Sequence, residues 1–215
     1  NPIFDIGLYA LKKVGYEGIQ EPKLQDIVDV LGLGIDVGWD TLDNNTNPTL
    51  VGDEVNIETW VKASVDPVEI IPVARYSPSE ALSFGWYTTN QEDYITNEVG
   101  VLATGLPNAQ TLFPSISSGG TTFDPEDSSF GIYAQTANFG INYTEDAVNT
   151  ATGSAIAHRT RIYPVKDRLG NLVENSYFIG FEPATNGDYQ DYAFLINNVR
   201  PASEAGILSF NKQSL

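Results

Sequence analysis

Ser176-Tyr177-Phe178-Ile179-Gly180-Phe181, then Glu182-Pro183-Ala184-Thr185-Asn186-Gly187-Asp188-Tyr189-Gln190-Asp191, then Tyr192-Ala193-Phe194-Leu195-Ile196-Asn197-Asn198-Val199: two short apolar runs flank ten residues of turn-forming and acidic type. Runs of this length, rich in aromatic and β-branched residues and bounded by Gly, Pro, Asn and Asp, read as strands. The segment between them reads as a loop that caps a hairpin.

The pattern continues outward. Asp53–Ala63 places Val55, Ile57, Thr59 and Val61 on one face. Val68–Ala74, Phe84–Thr88, Val99–Ala103, Phe130–Gln135, Phe139–Tyr143 and Ile156–Tyr163 are further candidate strands, cut apart by clusters such as Asp43-Asn44-Asn45, Ser117–Gly120 and Asp167–Asn171. Many short strands at this spacing, without long helical patterns between them, predict an all-β fold. The expected form is an antiparallel β-sandwich, jelly-roll-like, rather than a parallel α/β sheet. One short helix is expected over 22–32, where Leu24, Ile27, Val28 and Leu31 follow Pro22 at helical spacing and Gly32 supplies the stop. The richest Ser/Gly segment, Ser115–Thr122, is short and bracketed by Phe113 and Phe123. It does not read as a linker, so residues 1–215 are expected to form a single domain.

An internal echo links Phe84-Gly85-Trp86-Tyr87 with Phe130-Gly131-Ile132-Tyr133, each preceded by a proline-and-acid turn. Two strands in similar positions, with glycine where backbones bulge or approach closely, account for it better than a duplication.

The 215 residues include 28 acidic and 11 basic side chains and one histidine, for a formal charge of −17. Such a surface repels phosphate, which argues against nucleic acid or anionic lipid as a partner. No run approaches the length of a membrane helix, so membrane insertion is not expected. The absence of cysteine excludes thiolate metal sites, Cys nucleophiles and disulfides. Missing sulfur, few lysines and abundant Asp, Asn, Gly, Thr and Tyr point to an exported protein, extracellular or at the cell surface.

The densest set of oxygen ligands is the 182–191 loop, with Glu182, Asn186, Asp188 and Asp191 within ten positions. Calcium takes six to eight oxygens from carboxylates, amides and backbone carbonyls in such loops, although the spacing is not that of an EF-hand, and a solvated acidic turn is the alternative. Two further turns, Asp124-Pro125-Glu126-Asp127 and Glu145-Asp146 with Asn149, offer Asp124, Asp127 and Asp146 as additional ligands. Calcium bound at any of them would relieve repulsion and stabilise the fold by mass action.

Asn142-Tyr143-Thr144-Glu145-Asp146-Ala147-Val148-Asn149, His158, Phe181-Glu182 and the run from Asn186 to Phe194 resemble an uncharacterised bacterial domain family found in exported proteins. Its pattern is a Tyr-Thr-Glu-Asp-like turn, a downstream His, and a Phe-Glu-Asp stretch followed by Asp-x-Asp-Phe-Asn-Asp before a strand. The likeness covers roughly the last third of the chain. Pro72–Pro78 and Phe84–Tyr87 look like the longer version of this module, which sits in large secreted multidomain proteins. The resemblance implies an exported β-domain with a calcium site, accessory rather than catalytic. Pro183, Asn186 and Gln190 depart from the pattern, which removes two carboxylates and leaves Glu182, Asp188 and Asp191 as the firm carry-over.

Catalysis is not expected. A Ser-His-Asp arrangement would need His158, which lies in a strand-like run, and no Gly-x-Ser-x-Gly elbow is present. Carboxylate pairs are too numerous among 28 acids to indicate a glycosidase. Arg159 and Arg161, with Lys166 and Arg168 close by, are candidates for a uronate or sulfate, for the acidic face of another copy, or for pairing within the chain. Among aromatics that suit sugar stacking, Trp39 is flanked by Gly38 and Asp40. Trp86 and Tyr87 are further candidates, whereas Trp60, Tyr133 and most of this set also suit packing. The expectation is a non-catalytic, calcium-stabilised module that binds a glycan or surface polymer. The alternative is a homo-oligomeric subunit of an extracellular filament or surface layer, and a polysaccharide-acting enzyme comes third.

Overall fold

The computed structural model describes residues 21–38, 49–90 and 93–202. In chain order they form α1 (Leu24–Val30), β1 (Trp60–Lys62), β2 (Val68–Tyr76), β3 (Leu82–Asn90), β4 (Asp93–Leu102), α2 (Leu106–Ala109), β5 (Gln110–Leu112) and β6 (Ile116–Gly119). There follow β7 (Thr122–Phe123), β8 (Gly131–Thr136), β9 (Gly140–Tyr143), α3 (Asp146–Ala151), β10 (Thr160–Lys166), β11 (Leu172–Phe181), β12 (Tyr192–Asn197) and β13 (Val199–Pro201). The fold is all-β, antiparallel and sandwich-like, with a short helix near the start of the described chain.

A six-stranded sheet runs β10-β11-β12-β2-β5, with β7 also paired to β2, and a five-stranded sheet runs β6-β4-β3-β8-β9. Their facing surfaces enclose one core. Ile70, Ile162, Ile179, Phe181, Phe194 and Ile196 from the first sheet meet Leu82, Phe84, Leu102, Ile132 and Ala134 from the second. Trp60 and Val199, from the separate β1-β13 ladder, belong to the same core.

The six-stranded sheet is covered on its other face as well. Leu24, Ile27, Val28 and Leu31 of the helical segment, continued by Leu33, Ile35 and Val37, pack on Val73, Tyr163, Val165, Phe178 and Leu195. A sheet buried on both faces needs apolar residues at consecutive positions, which is why β12, the second half of β11 and the middle of β10 are apolar runs rather than alternating ones. The helix ends as expected at Gly32, whose φ is +73°. The Leu33 N–H donates to Val28 O and the Gly32 N–H to Asp29 O, the paired bonds of a Schellman motif.

Most expected strands form. The echo has the simpler explanation: β3 and β8 are neighbours in one sheet. Gly85 lies at a register shift against β4, and a Cβ on Gly131 would sit 2.4 Å from the Tyr87 ring.

Three of the expected strands differ in extent, and α2, α3, β5, β6 and β7 are additional, β6 covering most of the expected Ser117–Gly120 turn. Of Asp53–Ala63 only Trp60–Lys62 is strand. Val55 and Ile57 are buried as the alternation predicts, but this stretch lies along the β10 edge with the Val55 N–H on Ile162 O and forms no regular ladder there. The strand expected over Ile156–Tyr163 begins only at Thr160, so His158 sits in the preceding loop. The Tyr192–Val199 run divides at Asn198, whose φ is +63°.

Candidate metal centre

The 182–191 loop leaves β11 at Phe181 and enters β12 at Tyr192, crossing the end of the hairpin. Glu182 is fully buried and the loop winds around its carboxylate. Its Oε1 accepts the Ala184 N–H at 2.7 Å, and its Oε2 accepts the N–H groups of Gly187 at 2.8 Å and Asp188 at 3.0 Å. Two turn conformations close the path, with positive φ at Gly187 (75°) and Tyr189 (55°). A left-handed backbone is unusual for a bulky residue. Tyr189 is held in it by burial, by its hydroxyl donating to His158 O at 2.8 Å, and by the Arg161 guanidinium 4.9 Å from its ring centre. Gly180 makes room beneath, because a Cβ there would lie 2.5 Å from Tyr189 O.

This winding brings three acids together. Among the described residues, Glu182, Asp188 and Asp191 are the group of three whose ligand atoms all lie within 4.8 Å of one another, and they could hold a metal ion. Two oxygens in it, Asp188 Oδ1 and Asp191 Oδ2, are buried without a hydrogen-bond partner. Burial, and then the charge of Glu182, push both aspartates above the usual carboxylate range, Asp191 further than Asp188. Glu21 adds to the field at Asp191 while accepting from Gln190 Nε2 at 3.0 Å and Gln110 Nε2 at 3.1 Å. Arg159, whose charge reaches Glu182, donates to the backbone carbonyls of Glu182, Pro183 and Ala184.

The donor set fits a hard cation: it is all oxygen, anionic and partly dehydrated, and contains neither thiolate nor imidazole. The exposed side chain of Asn186 donates through Nδ2 to Asp188 Oδ2 and so orients one of the three carboxylates.

The other acidic turns lie apart from this group. Asp124 pairs with Lys62 at 2.7 Å and accepts the Glu126 N–H at 2.8 Å, and the lysine holds its carboxyl below the ordinary range. Asp127 is exposed on the same turn. Asp146 faces His158 Nδ1 at 3.1 Å, and Asn149 ties the Tyr143 backbone in both directions while donating to Ala157 O. Asp124, Asp146 and Asn149 are engaged in structural contacts.

Of the expected ligand-binding residues, Tyr87 and Arg161 are buried and Trp86 and Arg159 half-buried. Tyr87 is fully buried on the outer face of the five-stranded sheet, edge-on to Tyr143, with its hydroxyl 2.9 Å from Glu145 Oε1. Arg161 is 1% exposed and pairs with Glu54, so of the three possible uses of this arginine, pairing within the chain is the one observed. Trp60 and Tyr133 are also buried. Trp86 is half-buried and stacked on Phe123, with centroids 5.6 Å apart. Trp39 lies outside the described residues.

The arrangement missed from sequence is the chain Asp146–His158–Glu54–Arg161, built from α3, the loop before β10, the 49–59 stretch and β10. Its members are 12, 104 and 107 positions apart pairwise, and no local motif announces it. Among the described residues no helix is long and apolar enough to cross a membrane. No protein-family model, curated protein or solved structure matches the chain.

Proposed function

We propose that this chain is an exported, non-catalytic binding domain whose 182–191 loop is held in shape by calcium. The observation that carries the reading is the pair of buried, unpartnered carboxylate oxygens on Asp188 and Asp191 beside Glu182. An anionic oxygen removed from water without a partner is costly, and a divalent cation satisfies both oxygens and offsets the mutual repulsion of three carboxylates, displacing the proton that the raised aspartates otherwise hold. Calcium suits the site better than magnesium, because a flexible loop with carboxylates and backbone carbonyls does not impose the small octahedron that magnesium requires. When bound, the ion supplies charge neutralisation and a cross-link between the end of β11 and the start of β12. The chain's own groups position the ligands: Glu182 through its three backbone donors, Asp188 through Asn186 and Gln190, and Tyr189 through the backbone turn that separates the two aspartates.

The binding role is attachment to a glycan or surface polymer. Its support is the acidic, sulfur-free composition and the resemblance of the Tyr143–Asn149, His158 and Phe181–Phe194 motifs to modules of secreted proteins. Export supplies the ion as well, since calcium is abundant outside cells. A glycan array probed with the full chain in calcium, repeated in chelator, tests this reading, alongside size-exclusion chromatography and electron microscopy. The expected result is a calcium-dependent hit from a monomer. Filaments or large oligomers without glycan binding would replace it with the surface-assembly reading.

A further inference from the structure

His158 is the only histidine of the chain, and its side chain retains 11% exposure. Both ring nitrogens face carboxylates: Nδ1 lies 3.1 Å from each oxygen of Asp146, and Nε2 lies 3.2 Å from Glu54 Oε1. A neutral imidazole carries one N–H and one lone pair, so it can satisfy one of these sides and must oppose a lone pair to a carboxylate on the other. Only the imidazolium donates to both.

The two carboxylates belong to separate pieces of the fold. Asp146 opens α3, whereas Glu54 belongs to the 49–59 strap, which runs beside β10 without a continuous ladder. Between strap and β10 lies a small cleft lined by Leu50, Glu54, Glu58, Thr144, His158 and Thr160. We propose that His158 is a proton-operated clasp: protonated, it ties the strap and α3 to the start of β10, and deprotonated, it lets go of the strap at this cleft.

The surrounding charges set the direction. The strap presents Glu54 and Glu58, the α3 end presents Glu145 and Asp146, β10 presents Arg161, and the 182–191 loop presents the Tyr189 ring at 6.0 Å. Burial opposes the charged imidazole. The contacts with Asp146 and Glu54 outweigh it, so the proton is held above the ordinary histidine range. Glu54 keeps Arg161 when the proton leaves, and its Oε2 also accepts the Val51 N–H at 3.1 Å. The proton that stays on the neutral ring therefore stays on Nδ1, toward Asp146, and the contact given up is the one to the strap. The clasp uses no ligand of the 182–191 loop, and Asp146 belongs to it rather than to the metal centre.

Having one histidine makes the test direct. The ring nitrogens and Cε1 of His158 are followed by NMR from pH 5 to pH 9 on the full chain, once with excess calcium and once in chelator. Amide protection factors of residues 53–59, corrected for intrinsic exchange, are measured over the same range. The expected result in both buffers is an imidazolium with both nitrogens protonated beyond pH 6.5. A loss of strap protection of about fivefold, the equivalent of one hydrogen bond, should follow the same midpoint. Asp146→Asn, at a side chain that is 28% exposed, should move both midpoints down together. A midpoint at or below 6.5, or strap protection that ignores the histidine titration, would overturn the clasp. If the variant does not fold, the wild-type titration decides alone. Failure of calcium binding leaves this test unaffected.

Discussion

The pocket of Glu182, Asp188 and Asp191 and the chain Asp146–His158–Glu54–Arg161 are both partly buried acidic clusters, and they solve the same electrostatic problem in opposite ways. In the second, anion and cation alternate, so each carboxylate has a positive neighbour supplied by the fold. In the first, three carboxylates converge and two oxygens are left without a donor. A chain at −17 has few cations to distribute, and those of β10 and its approach are spent elsewhere, Arg161 on Glu54 and Arg159 on three carbonyls. One cluster is paired within the fold, and the other could hold a cation from solution. Tyr189 joins them, its ring against Arg161 and His158 and its backbone inside the acidic loop.

The largest expected effect breaks the self-neutralised cluster. Glu54→Gln leaves Arg161 buried with a neutral partner and removes one of the two carboxylates from His158. Urea titration should report a loss of roughly 3–5 kcal/mol, the scale for breaking a buried pair by removing one member. A loss under 1 kcal/mol would mean that the pair contributes no more than an exposed one.

The next effect should change sign with the solution. Asp191→Asn replaces a carboxyl whose ionisation burial and Glu182 oppose, so in chelator its melting temperature should match the wild type where Asp191 is protonated and exceed it at higher pH. In calcium the order should reverse, because the variant forfeits most of the roughly 3 kcal/mol that an ion at a hundredfold excess over its Kd contributes. A variant less stable than wild type under both conditions would show that the carboxylate is structural and not a ligand.

Tyr189→Phe tests the joint between the clusters. Deleting the hydroxyl removes the 2.8 Å bond to His158 O and should cost about 1 kcal/mol in both buffers. The smallest signal is the pH slope from His158 in the calcium-loaded protein. Its folded pKa is raised above the ordinary 6.5, so the folded state binds the proton more tightly than the unfolded chain. The stabilisation is therefore complete below pH 6.5 and fades as pH rises through the folded value. Comparing Asp146→Asn with the wild type by denaturant titration on either side of this window isolates it.

What was legible from sequence follows from how local each feature is. The helix over Leu24–Val30 was readable because its apolar spacing and the Gly32 stop lie within one short stretch. β2, β12 and the second half of β11 are readable because burial on both faces makes them largely apolar runs. Asp53–Ala63 misled because alternation reports which side chains are buried, and Val55 and Ile57 are buried without a ladder partner along most of that stretch. Helix α3 was missed because Asp-Ala-Val-Asn-Thr-Ala is six residues long with Val148 as its one large buried apolar side chain. The short strands β5, β6 and β7 carry too few buried residues to announce themselves. The acidic triad was visible because its members share ten positions. The His158 chain was hidden because Glu54 reaches it from 104 residues away.

Thermal unfolding of the metal-free chain, scanned with added calcium, with added magnesium and in chelator, tests the central claim that the 182–191 pocket is completed by an ion. Calcium at a hundredfold excess over its Kd should raise the melting temperature by roughly 5–10 °C over the chelated protein. Magnesium should do less, and Asp191→Asn should lose the calcium shift. A wild-type melting temperature that is the same in calcium and in chelator would contradict it.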